Sequence, residues 1–273
     1  MKNTWLITWF TVREALARKV FIFFLGISAL TILLSAAFFS VVGDNAYINS
    51  AVNAGNKEIV KQVVASLELM ILSPLSALCI MISIFSSASF VPNMLEKGNI
   101  DLILSKPISR LQLIMGKYFG GLLVVLMNIA FLIIGIWFVV SIKFSYWNFN
   151  FLWLIFIITF AFAVLYALIV WFGIMTRSST PGMMVAYLIY IIISPLLFMV
   201  KDKGEIFIHN EFVFKLVKGI YYIFPKTAEL MNNVSNNMAT GIGIKDYQPV
   251  VSSLLFLILM LFLSVFMFNK KDY

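Results

Sequence analysis

Few side chains in this sequence could carry chemistry, and their numbers alone remove most reaction classes. His209 is the one histidine and Cys79 the one cysteine. No disulfide framework, cysteine metal site, multi-histidine metal site or His-Glu-x-x-His pattern can be assembled from them. Cys79 lies inside an apolar run and reads as a packing residue. A phosphate-cradling loop needs Gly-Lys followed by Ser or Thr, but Gly116-Lys117 is followed by Tyr118. No base is evident for a serine nucleophile. Proton-coupled carriers place Asp, Glu or His within their spans, and here those residues fall outside the apolar runs. Asn128 is among the few strongly polar side chains at depth. It reads as an interhelical hydrogen-bond partner, with a substrate contact as the weaker alternative. Ser83, Ser86, Ser87 and Ser89 could line a pathway, although small residues chiefly let helices pack closely. The residues predict no catalytic site, no metal and no cofactor.

The surrounding elements belong to a membrane protein. Of 273 residues, 62% are hydrophobic and only 12% charged, with a mean hydropathy of +1.00. Soluble domains are about half apolar and about a quarter charged. A helix needs about 20 apolar residues to cross a bilayer. Six stretches qualify: 20–42, 69–91, 118–140, 151–174, 182–200 and 250–268, all without acidic or basic residues. In lipid their backbones must be satisfied internally, so they are helices and the fold class is all-α integral membrane. The first stretch is longer than the core of a secretion signal and reads as an uncleaved span. Pro74 predicts a kink in the second span, and Pro195 leaves the end of the fifth uncertain. The net charge of +8 reads as topology signal and not as affinity for nucleic acid. Arg13, Arg18, Arg110 and Arg177 all fall on the side that also holds both termini. This bias predicts both termini in the cytoplasm and a multi-pass protein of the inner (cytoplasmic) membrane.

Three non-spanning segments carry more information. In residues 4–19, Trp5, Trp9, Val12 and Leu16 share one helical stripe, while Thr8, Thr11, Glu14 and Arg18 lie on the other side. This predicts a helix anchored in the membrane surface by tryptophans. Arg13 falls in the apolar sector and can snorkel or pair. In 92–117, Gly98 can end an extension of the second helix, Asn99 can cap a short helix through Leu104, and Ser109-Arg110-Leu111-Gln112 fits a capping box. In the loop 201–249, Asn210 can cap an amphipathic helix over 211–224 with Glu211, Lys215, Lys218 and Tyr222 on its polar stripe.

Two stretches then resemble a family. Thr11-Val12-Arg13-Glu14-Ala15-Leu16-Ala17-Arg18-Lys19 precedes the first span. Phe90-Val91-Pro92-Asn93-Met94-Leu95-Glu96-Lys97-Gly98-Asn99-Ile100-Asp101 runs on to Leu104, Pro107-Ile108-Ser109-Arg110 and Gly116-Lys117. Together with six spans and a long outer segment before the last, they resemble permease subunits of type-2 ABC transporters. The likeness is to the export-type group that includes the permease of the nitrous-oxide-reductase maturation system. Asn93 departs from a position that is often acidic in such relatives.

The resemblance implies an elbow helix carrying Arg13, Glu14, Arg18 and Lys19. It implies a coupling helix at 99–104, with Glu96, Gly98, Asp101, Leu104, Pro107 and Arg110 linking the bundle to a cytoplasmic ATPase. Two ATPase subunits and a second permease, identical or not, would complete the unit. The rivals are a self-contained secondary transporter or channel, a membrane-embedded enzyme, and a structural or immunity protein of the same class.

Overall fold

The computed structural model describes residues 2–17, 19–41, 57–95, 108–207 and 219–271. Its helices are α1 (Lys2–Leu16), α2 (Lys19–Val41), α3 (Lys57–Ser87), α4 (Phe90–Met94) and α5 (Arg110–Phe144). A 3-10 turn (Phe149–Trp153) leads into α6 (Leu154–Thr176). After it α7 (Ser179–Tyr187) runs through a π segment (Leu188–Ile193) into α8 (Ser194–Phe207). Then come α9 (Thr227–Glu229), a second π segment (Leu230–Val234), α10 (Ser235–Ala239) and α11 (Gln248–Lys270). No strand occurs among the described residues. Six helical runs are long and apolar enough to cross a membrane: Phe21–Ser40, Val60–Met94, Arg110–Phe144, Phe149–Thr176, Ser179–Lys201 and Gln248–Lys270. The fold is an all-α integral membrane bundle.

α6 is its pillar. In its apolar window 72% of residues are enclosed, against 44% or less in every other span. Small side chains explain this. Ala161, Ala163, Ala167 and Gly173 let neighbours approach, and in lipid close packing takes over from the hydrophobic effect as the force between helices. Tyr166 of α6 fills the notch left by Gly121 of α5, where a Cβ would sit 2.6 Å from its hydroxyl. Its ring stacks on Tyr118 at 5.4 Å, and the Tyr118 hydroxyl donates to the Ala163 carbonyl at 2.9 Å.

α5 spans 35 residues, or ~52 Å at 1.5 Å per residue, well beyond the ~30 Å hydrocarbon core. α1 lies along its first half. Gly116 and Gly120, one turn apart, form the seat: an added Cβ would meet Ile7 at 2.7 Å and Thr11 at 2.5 Å. The Thr8 hydroxyl lies 3.2 Å from the Gly116 carbonyl. Ile7, Thr8, Thr11, Val12 and Ala15 are thereby buried, while Trp5, Leu6, Trp9 and Phe10 face outward. Thr8 and Thr11 of the expected polar side therefore turn inward against α5, while the tryptophan face points away from the protein. Val12 is the exception: it sits at the edge of that stripe and turns inward against α5.

Prolines shape the second and fifth spans. The second is interrupted at Ala88-Ser89, inside the span expected over 69–91, and resumes as α4. Pro92 has no N–H to give the Ala88 carbonyl, and its ring crowds that carbonyl. Pro195, the second residue of α8, likewise withholds an N–H, and the π segment lies just before it. The helix also starts earlier than the sequence suggests. It begins at Lys57, so Glu68 lies inside the run that can cross the membrane and is fully buried. The expectation that every acidic group lies outside the spans fails here. A second difference is α9–α10, a helical stretch that follows Pro225 and packs against α6. The sequence predicts loop there. The helix expected over 211–224 falls mostly outside the described residues.

The glycine seat is testable. Gly120→Leu forces α1 off α5, an overpacking cost of ~1–3 kcal/mol. A Val12→Cys reporter, buried in the parent, then becomes reactive toward a water-soluble thiol reagent. Gly26→Ala, where nothing lies within 4 Å of the new Cβ, leaves the reporter protected.

Candidate functional site

The face that holds both described chain ends is wired together by three cations. Ser109 caps α5 through the predicted box: its hydroxyl accepts from the Gln112 N–H at 3.2 Å, and its own N–H donates to Gln112 Oε1 at 3.2 Å. That cap fixes the direction of Arg110. The Arg110 Nη1 donates to the carbonyls of Phe268 at 2.8 Å, Asn269 at 3.3 Å and Lys271 at 2.9 Å, at the C-terminal end of α11. Its guanidinium carbon lies 5.6 Å from the centre of the Phe268 ring. Lys271 leaves the helix with extended backbone (φ −89°, ψ 130°). Its ammonium donates to the Ile174 and Met175 carbonyls, both at 2.8 Å, on the last turn of α6. Both cations sit where helix carbonyls lack partners and the helix dipole is negative. Each hydrogen bond to a charged donor contributes about 1.5–3 kcal/mol. The third cation, Lys117, is 8% exposed and pairs with Glu14 of α1 at 2.9 Å.

The opposite face holds two polar knots. Asn148, in the turn after α5, donates through Nδ2 to Glu68 Oε2 at 2.8 Å and to the Ala239 carbonyl at 3.1 Å. The Trp137 indole donates to the Asn148 carbonyl at 3.0 Å. α3, the α5–α6 turn and the end of α10 thus meet at one side chain. The second knot gathers Lys201, Tyr221, Lys226, Glu229 and Asp246. Lys201 pairs with Glu229 and lies 3.3 Å from Asp246. The Tyr221 hydroxyl donates to Glu229 Oε2 at 2.7 Å. The Lys226 ammonium stands 3.9 Å over the Tyr221 ring and 5.0 Å from that of Tyr222, with no hydrogen-bond partner. Burial pushes it down to about 8, with Glu229 pulling the other way. Burial, then Glu229, raises the Tyr221 hydroxyl.

Between the two faces a cleft of about 450 Å³ opens on the bundle surface. Ser73, Ser76 and Met81 of α3, Tyr190 and Pro195 of the fifth span, and Asn232 of the second π segment line it. Pockets of ~300–1,000 Å³ are the usual size for small-molecule ligands. Its polar groups are neutral hydroxyls and an amide.

The residues singled out from sequence fare unevenly. Arg110 and Glu14 enter the braces just described. Arg13 is exposed with its guanidinium 5.8 Å from the Trp9 ring centre. Asn128 is 1% exposed, but its amide donates to the Val124 carbonyl of its own helix at 3.3 Å. The expected interhelical bond is not made, because the preceding turn offers a nearer acceptor. Ser83 and Ser87 are buried, with hydroxyls on the carbonyls one turn back, which suits packing. Glu96, Gly98, Asp101, Leu104, Pro107, Arg18 and the side chain of Lys19 lie outside the described residues.

Lys271, Glu68 and the Lys226 knot were missed. A lysine just past a span can be read as a helix-end cation, but nothing local says that it caps a different helix.

Six apolar spans, one of them enclosed by its neighbours, with a further helix docked beside them and a cleft on the bundle surface, define a multi-pass membrane protein. Residues 11–273 match the ABC-2 family transporter protein profile, and the chain belongs to that family. It is thus a permease subunit of an ABC transporter, a transport component that is not itself catalytic and that works with an ABC ATPase. No curated protein matches the sequence.

The Lys226 knot has a pH signature. Between about 8 and the ordinary lysine value of 10.5, Lys226 binds fewer protons in the folded chain than in the unfolded one, so its contribution to stability rises with pH across that window. Tyr221, raised above its ordinary 10.0, opposes the rise beyond that value. In detergent, the thermal midpoint climbs from pH 8 to 10. Lys226→Met flattens the climb and raises the midpoint below pH 8, at ~2–4 °C per kcal/mol.

Proposed function

We propose that this chain is the permease subunit of an ABC exporter whose strokes enter at the start of α5. The observation that carries the reading is the convergence at that point. One capped helix start, Ser109 to Gln112, directly follows the 99–104 segment and is tied by Arg110 to α11 and by Lys117 to α1. In this reading α1 is the elbow helix, 99–104 the coupling helix, and Glu96, Gly98, Asp101, Leu104 and Pro107 its links to the ATPase. Two ATPase copies and a second permease, identical or different, complete the transporter. Both termini lie in the cytoplasm and the bundle sits in the inner membrane. Within the family, the Pro-Ile-Ser-Arg and Gly-Lys pattern favours the group of the nitrous-oxide-reductase maturation permease and, with it, export. The cleft lined by Ser73, Ser76, Tyr190 and Asn232 is the candidate substrate surface, and Asn128, buried and bonded to its own helix, is not.

A motion of the coupling segment would tilt α5 and whatever is braced to it. Such rigid-body shifts are a common way for local binding energy to open or close a distant site.

Glu68 supports the alternative of a self-contained secondary transporter, because a buried acid within a span is a common proton or ion site.

Purification of the tagged protein from its native host in mild detergent separates the two readings. A stoichiometric ATPase with vanadate-sensitive hydrolysis is expected. Transport by the chain alone, with no nucleotide-binding partner, would overturn the exporter. In the complex, Asp101→Arg should lower transport at least ~10-fold, about 1.4 kcal/mol of lost coupling, while hydrolysis and membrane insertion persist.

A further inference from the structure

We infer that Lys271 is a positioning residue that passes the motion of the ATPase from α5 and α11 into α6. The inference rests on the proposed coupling to an ATPase.

The argument is one of connectivity. Arg110 is the first residue of α5 and holds the Lys271 carbonyl at 2.9 Å. The ammonium of that same Lys271 holds the Ile174 and Met175 carbonyls at 2.8 Å. The two links are in series through one residue, so a displacement of its backbone by Arg110 pulls on the charged hydrogen bonds that its side chain makes to α6. Phe268 beneath the guanidinium is fully buried and locks the end of α11. The receiving element is the one the bundle is built around: α6 is the most enclosed span and reaches the opposite face, where the 3-10 turn and the second π segment pack on it. A push on the end of α6 therefore reaches the roof of the cleft at Asn232. Arg177, directly after α6, takes a left-handed conformation (φ 55°) that stops the helix at the turn Lys271 grips.

A merely stabilising cap and a transmission link differ in what they control. If Lys271 only stabilised α6, its loss would lower stability and leave nucleotide-driven motion intact. As a link, its loss leaves assembly intact and stops motion from reaching α6.

The test uses the complete transporter purified with its ATPase, in a Cys79→Ala background. A fluorophore is placed on Phe156→Cys, an exposed site near the far end of α6, and a second, separate reporter on Leu111→Cys, exposed at the start of α5. ATP with vanadate should shift both reporters in the parent. Lys271→Met should retain ATPase binding, vanadate-sensitive hydrolysis and the α5 shift, and lose the α6 shift. Lys271→Arg, which can still donate to both carbonyls, should restore it. Lys270→Met should behave as the parent, since that ammonium lies 4.5 Å from the Phe266 ring centre on the same helix. An α6 shift that survives in Lys271→Met overturns the inference, as does one lost only in proportion to a lowered thermal midpoint. Absence of an ATPase from the parent preparation overturns the exporter reading instead. An α5 reporter that stays silent in the parent does the same, so the two failures are distinguishable.

Discussion

A helix that ends at a membrane surface leaves its last carbonyls without partners, and in this bundle that deficit organises one whole face. The spans are apolar on all sides and supply few side chains for the task. The chain meets the need with cations borrowed from elsewhere. Arg110 serves the end of α11 from the start of α5, and Lys271 serves the end of α6 from just beyond α11. Because each donor belongs to a different helix from its acceptors, satisfying the backbone also fastens helices to one another. Lipid offers no hydrophobic gain for helix association, so these charged ends and the glycine notches at 116, 120 and 121 hold together what composition alone would leave loose.

Much of this was legible in the residues, because the bilayer is a simple solvent. Twenty apolar positions without charge have one stable solution in it, and the six spans follow from that alone. The capping box at Ser109 was also legible, since its partners are three residues apart. What stayed hidden depends on distance in the chain. Nothing near Lys271 announces Ile174, and nothing near Asn148 announces Glu68. The start of the second span was misjudged for a related reason. Glu68 looks like a boundary until it is known that Asn148 supplies the donor that lets a carboxyl enter the bundle. The helix at 227–239 was passed over because its polar composition suggests a solvated loop, whereas its hydrogen bonds are made inside the protein.

The two faces are built on different terms. Near the chain ends, the braces hold backbone carbonyls at helix ends, with the Glu14–Lys117 ion pair beside them. On the opposite face, the knots are side chain to side chain and mix acids, lysines and tyrosines in a partly dry setting. The first arrangement takes most of its acceptors from the backbone. The second contains a lysine whose charge is costly to keep. The cleft lies against the second kind of structure, with α9 and its neighbouring π segment forming one wall, so the surface proposed for cargo adjoins the side-chain knots and not the backbone braces.

The knot at Asn148 has a meaning for biogenesis. Asn148 and its two partners at positions 68 and 239 are made at different times as the ribosome extends the chain. When the second span enters the lipid, its acid has no donor. It gains one only after the third span and the turn behind it have been made, and the last acceptor arrives with the stretch before the final span. Until then Glu68 marks the chain as unfinished, a polar group in an apolar helix of the kind that insertion and quality-control machineries can hold. The finished bundle erases that mark by enclosing it.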